Sequence, residues 1–178
     1  MLKSTIKDWE EADYGVRKAL PQDAVQVIEV MKNAEDSGWM LFEPNERIIV
    51  EATCRTFISK LNKGKKTGCF VAVKNEVVYR YVIVKNERPK RIQHRGYIVI
   101  GIDEASRGKG VGTLLFQEVI RWAEKAGLHK LELTVITSNE HAVRLYENMG
   151  FTVEGVRKDS LYIDHHYVDE YYMGYIVS

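Results

Sequence analysis

An apolar run, Tyr97-Ile98-Val99-Ile100-Gly101-Ile102, is followed one short turn later by Arg107-Gly108-Lys109-Gly110-Val111-Gly112, and that succession constrains the fold more than any other stretch. The run has the length and composition of a buried strand. Beyond the glycines, Leu114, Leu115, Val119, Trp122, Ala123 and Ala126 recur at helical spacing until Gly127 stops the pattern. A strand, a glycine turn and a helix start in this order require a layered α/β arrangement. They also leave unencumbered backbone amides at the positive end of a helix dipole. Such a turn suits a phosphate or pyrophosphate.

The rest of the chain reads as a single mixed α/β domain over residues 14–178, behind a flexible, acidic lead-in at 1–13. Strands are expected at Tyr14–Lys18, Cys69–Val73, Val77–Val84, 96–102, Leu131–Val135, Phe151–Arg157 and Tyr167–Val177. Helices are expected from Pro21, from Arg47 to Leu61, over 111–126, and from Glu140 to Met149 with Gly150 as the stop. Residues 34–46 are irregular and bulky. With 178 residues, 45% of them hydrophobic, such a domain can bury a core of its own.

Charge and composition exclude several function classes. A formal net charge of +1 disfavours a nucleic-acid-binding surface, and Lys85 to Arg91 with His94 and Arg95 reads as a solvated cluster. No stretch has the length of a membrane span, and the opening Met1–Asp8 segment has no signal-peptide core. Cys54 and Cys69 are too few for a disulfide framework, so the expected setting is the reducing cytoplasm. Asp164-His165-His166 lacks zinc-ligand spacing to His94, His129 or His141, and no metal is expected.

Three anions compete for the glycine turn. A nucleotide P-loop needs Ser or Thr after Gly-Lys, but Gly110 follows Gly108-Lys109. A dinucleotide fingerprint needs a further glycine where Leu115 stands. The third is coenzyme A. Arg107, Gly110 and Gly112 spell Arg-x-x-Gly-x-Gly, which resembles the acyl-CoA signature of the GNAT N-acetyltransferase superfamily. The likeness continues in Val16-Arg17-Lys18-Ala19 with Asp23-Ala24, and in Asn139, Ala142, Leu145-Tyr146, Gly150-Phe151 and Glu154-Gly155. It covers roughly residues 14–177. The Gly-Phe…Glu-Gly stretch and the closing Asp169…Met173 look most like the branch that modifies ribosomal-protein N-termini, polyamines or small amines.

The resemblance implies a central, mixed but mostly antiparallel sheet that is flanked by helices and splayed at an acetyl-CoA site. It implies that backbone groups at Ile100, Gly101 and Ile102 bond the pantetheine and polarise the thioester carbonyl. Arg107, Gly108, Lys109, Gly110, Val111, Gly112 and Thr113 would wrap the pyrophosphate, and Asn139 would contact the coenzyme. Each has a plainer reading beside it: packing relief at Gly101, solvated cations at Arg107 and Lys109, helix capping at Asn139. Tyr146 is implied to protonate the departing thiolate; its plain reading is a packed helix tyrosine.

The base is less defined. Some related enzymes place a glutamate five residues before the asparagine, which here is Thr134; Glu132, on the same strand face, is the candidate substitute. The implied reaction is direct attack by a primary amine, of a small molecule or a protein N-terminus, on acetyl-CoA. The rival reading is a non-catalytic acyl-CoA-binding module. Trp39 to Phe42 is the candidate acceptor lip, and the tyrosine-rich last strand is a candidate seam for a homodimer.

Overall fold

The computed structural model describes residues 14–102 and 110–178. Among these residues, seven strands form one sheet in the order β1-β2-β3-β4-β5-β7-β6. In sequence they are β1 (Gly15–Lys18), β2 (Gly68–Lys74), β3 (Val77–Lys85), β4 (Arg95–Ile102), β5 (Lys130–Ile136), β6 (Thr152–Ile163) and β7 (His166–Ile176). Every neighbouring pair is antiparallel except β4 and β5.

Among the described residues, four helices cover the sheet: α1 (Ala24–Asp36), α2 (Glu51–Lys63), α3 (Val111–Lys125) and α4 (Glu140–Asn148). On one face, Val27, Ile28 and Met31 of α1 and Ile58 of α2 pack on Cys69, Val71, Tyr81 and Ile83. On the other, Leu115, Phe116, Val119 and Ala123 of α3 and Ala142 and Tyr146 of α4 pack on Phe70, Val82, Val84, Ile98, Leu131 and Leu133. Strand β2 sits between the two cores, so its run Gly68 to Ala72 is buried without alternation. Phe116 and Leu115 lose all solvent contact, and each burial contributes about 1.5–3 kcal/mol.

The expected elements are present, with two boundary changes. Helix α2 begins at Glu51 rather than Arg47, because Arg47 is drawn aside to the buried carboxylate of Glu35 by contacts of 2.6 and 2.7 Å. Strand β6 runs on to Ile163 instead of ending at Arg157, since β7 pairs with it on both sides of an irregularity between Arg157 and Leu161.

The feature that positions a site is a fork. Strands β4 and β5 pair only at Arg95↔Lys130, Gly96↔Leu131 and Tyr97↔Glu132. Beyond those pairs β4 stays with β3 as far as Ile102, and β5 stays with β7 as far as Ile136. Among the described residues the backbone edges facing each other across the opening have no strand partner, and such an edge is a template for another extended chain.

Candidate active site

A cavity of about 310 Å³ occupies the fork and opens toward both faces of the sheet. On the α3/α4 face it is lined by Ile98, Ile100, Leu133, Val135, Ala142 and Tyr146. On the α1/α2 face it is lined by Met31, Tyr81, Tyr97, Thr134, Ile136 and Glu170, among others. The division follows from strand alternation: Leu131, Leu133 and Val135 join the α3/α4 core, so Glu132, Thr134 and Ile136 point the other way.

At the α3 end, Gly110 holds φ at 72° and precedes the first helical residue, a backbone conformation natural to glycine. The amides of Val111, Gly112 and Thr113 follow in the first turn, where helical N–H groups lack intrahelical partners. Gly112 is required by its neighbours. A Cβ there would lie 2.7 Å from Nη1 of Arg80 and 3.0 Å from Leu145. Arg80, on β3, is only 3% exposed. A buried guanidinium and a helix N-terminus therefore converge on one spot, a combination that favours an anion. Arg107, Gly108 and Lys109 lie outside the described residues.

Tyr146 is 4% exposed and lies edge-on to Phe116, with ring centroids 5.4 Å apart. Burial pushes its phenol well above the ordinary value; the charge of Arg80 opposes this without undoing it. The group stays protonated at neutral pH and is able to donate. Asn139 also lines the cavity, and its Oδ1 accepts a 3.3 Å hydrogen bond from the Ala142 amide, so it caps α4.

Ile100 lines the cavity, and Gly101 and Ile102 continue β4 beside it. The β3–β4 register passes through Gly101 without a bulge. The close approach there is made by the Tyr81 ring, which fills the place of a side chain at 101.

The structure does not bring Glu132 into the cavity lining. It pairs with Tyr97 at the closed end of the fork, with Arg95 at 3.4 Å and Lys130 at 3.9 Å. Thr134 is in the lining, and its Oγ1 shares a 2.9 Å hydrogen bond with the Tyr97 hydroxyl just past the last backbone pair.

Trp39, Met40, Leu41 and Phe42 form part of the wall on the α1 side. Arg47 holds that wall in place, bonded to Glu35 and stacked 4.1 Å over the Phe42 ring. Sequence reasoning passed over Arg80 and Glu170. Arg80 had a legible signal, a charge inside the apolar run Val77 to Val84. Glu170 did not, since one glutamate in an alternating strand reads as an outward residue.

Similarity to known proteins fits this geometry. The model of the acetyltransferase (GNAT) family matches residues 8–151. The chain belongs to the GNAT acetyltransferase family. It is 31% identical over 102 residues to the L-amino acid N-acetyltransferase AaaT of Escherichia coli, a match covering 57% of this chain and 62% of that protein. It is 32% identical over 84 residues to N-alpha-acetyltransferase 30 of Xenopus laevis, covering 47% of this chain and 31% of that one. The matches thus span less than two thirds of these relatives. Among solved structures, a GNAT-family acetyltransferase from Streptococcus pneumoniae superposes with a TM-score of 0.88 at 27% identity, over 93% of this chain and 99% of that one. A phosphinothricin acetyltransferase from Sinorhizobium meliloti in complex with AcCoA shares the fold, with a TM-score of 0.83 at 19% identity over 93% and 89% of the two chains.

Proposed function

We propose that this protein is an acetyl-CoA-dependent N-acetyltransferase that serves a primary amine by direct attack. The observation that carries the reading is the fork, with a buried phenol at one mouth and an aromatic, charged chamber at the other. The residues present fit the coenzyme: Gly110 and Gly112 let the α3 N-terminus approach an anion, Arg80 adds positive charge, and the open edge of β4 offers amides to an extended arm. Bound there, the coenzyme would supply an activated acetyl group. Tyr146 would hold a proton ready for the leaving sulfur, and Asn139 would fix the start of the helix that carries Tyr146. The two buried free cysteines support a reducing, cytoplasmic setting.

Acceptor basicity sets how much the protein must do. An α-amine near pKa ~8 needs only ~1.4 kcal/mol to reach its neutral form at pH 7, whereas a lysine amine needs ~4.6 kcal/mol. The wall segment 39–42, the Arg47–Glu35 pair and the amino-acid acetyltransferase relative together favour a small α-amine, an amino acid or a chain N-terminus, as the acceptor.

The test is thiol release from acetyl-CoA by purified protein against L-amino acids, spermidine, aminoglycosides and peptide N-termini, with coenzyme binding measured in parallel. Turnover with one amine class is the expected outcome. Tight coenzyme binding without turnover on any of them would instead support a non-catalytic acyl-CoA-binding module. No coenzyme binding would sink both readings.

A further inference from the structure

Glu170 is a carboxylate in a place where carboxylates are costly. It is 8% exposed, lies on β7, and lines the cavity. Its register partner is Ile136, which puts it on the sheet face of Thr134 and Tyr97, across the fork from Tyr146.

Two groups of β6 hold it, and both act on the same oxygen. The Ser160 hydroxyl donates to Oε2, and Arg157 Nη1 stands 3.5 Å from that oxygen. Arg157 is 45% exposed and leans over the Tyr172 ring, so its charge is shared with solvent. Oε1 accepts no hydrogen bond from the described residues. A largely enclosed carboxylate anchored through one oxygen, with the other given no donor by the described residues, is suited to a cation that arrives from outside. Among the described residues, the other ionisable side chains lining the chamber, tyrosines aside, are Arg47, already bonded to Glu35, together with Lys85 and His141. Arg47 and Lys85 are cations and repel an ammonium, and His141 is a proton acceptor without the negative charge that draws an ammonium in, so Glu170 is the group that can do both.

We propose that Glu170 receives the acceptor's ammonium and takes its proton before acyl transfer. The assignment rests on the acyltransferase reading above and supplies the base that Glu132, held at the closed end of the fork, does not. The ammonium nitrogen passes one proton to Oε1 and so frees its lone pair. The nitrogen then bonds to the acyl carbon while the carbon–sulfur bond breaks. The sulfur takes the Tyr146 proton, and the second proton shed by the nitrogen restores the phenol. Glu170 returns the first proton to solvent, so one proton leaves per turnover.

The decisive comparison uses the amine that the wild type acetylates best, and its aminooxy analogue, in which an oxygen is inserted between the nitrogen and its carbon. The two differ by one atom in reach, and the aminooxy nitrogen is already neutral at pH 7. Glu170→Gln should lower kcat/KM for the amine about 100-fold and for the aminooxy analogue by less than about tenfold, with coenzyme Kd unchanged. Glu170→Asp, which keeps the charge, should recover part of the amine activity, and it carries the test if the Gln variant does not fold. Equal losses for the two acceptors, or no loss, would overturn the assignment while leaving the acyltransferase reading intact. Absence of thiol release by the wild type would overturn both.

Discussion

Tyr81 of β3 stands directly opposite Gly101 of β4, and its ring occupies the space that a side chain at position 101 would fill. The ring is 1% exposed and also lines the cavity. The glycine thus shapes the chamber by letting an aromatic lie flat across the strand. Gly101→Ala forces that ring aside in a close-packed layer and should cost about 1–3 kcal/mol. Tyr81→Leu in the same chain should remove much of the conflict, giving a favourable coupling of about 0.5–3 kcal/mol in a denaturation cycle. Additive losses would show that Tyr81 does not account for the glycine.

Tyr146 tests the chemistry. It lines the cavity from α4, and burial keeps its phenol protonated. Tyr146→Phe should lower kcat by about 10²–10⁴-fold, the usual span for a lost proton donor. Coenzyme affinity should stay near wild type, because the pyrophosphate site proposed above lies at α3, whereas Tyr146 is on α4. Since burial raises the phenol, its ionisation should not limit kcat near neutral pH. A Phe variant with full turnover would remove the acid role.

Much of this architecture was readable before any coordinates, and the exceptions have physical causes. Helix α3 was clear because Leu115, Val119 and Ala123 repeat on one side, and its glycine turn marks its start. The strand expected to end at Arg157 continues as β6 through the polar Lys158-Asp159-Ser160, because β7 pairs on either side of that stretch. The start of α2 depended on Arg47 meeting Glu35, twelve residues earlier, which no local pattern encodes. The fork is a matter of register between two strands, visible only once β4 and β5 are paired. Glu170 joins the cavity lining for the same reason: β5, β6 and β7 must assemble before it is enclosed.

The cysteines give an independent check on direct attack. Cys69 is fully buried, and burial pushes its thiol up to about 12, with Cys54 and Asp23 adding to the effect. Cys54 is 3% exposed and its thiol is also raised by burial. Neither thiol lines the cavity. Since the thiolate is the reactive form, iodoacetamide at pH 7.5 should label neither residue until the protein is unfolded. Mass spectrometry after incubation with acetyl-CoA alone should find no acetyl-cysteine. An acetylated Cys54 or Cys69 would replace direct attack with an acyl-enzyme route.

Asp23 ties the entry of α1 to the edge of the sheet and sets an acid limit on the fold. It is 5% exposed, and burial alone would raise its pKa. Two bonds from Arg17, at 2.7 and 3.0 Å, and one from the Leu20 amide at 2.6 Å outweigh that and bring it below the ordinary value. A carboxyl lowered on folding stabilises the folded state fully above its unfolded pKa. That contribution shrinks as pH falls through the unfolded value and vanishes below the folded one. Asp23→Asn should therefore cost about 1–3 kcal/mol at pH 7, measured by urea denaturation, with the gap from wild type narrowing steadily below about pH 4. A gap of constant size from pH 7 to pH 3 would show that Asp23 acts through shape rather than charge.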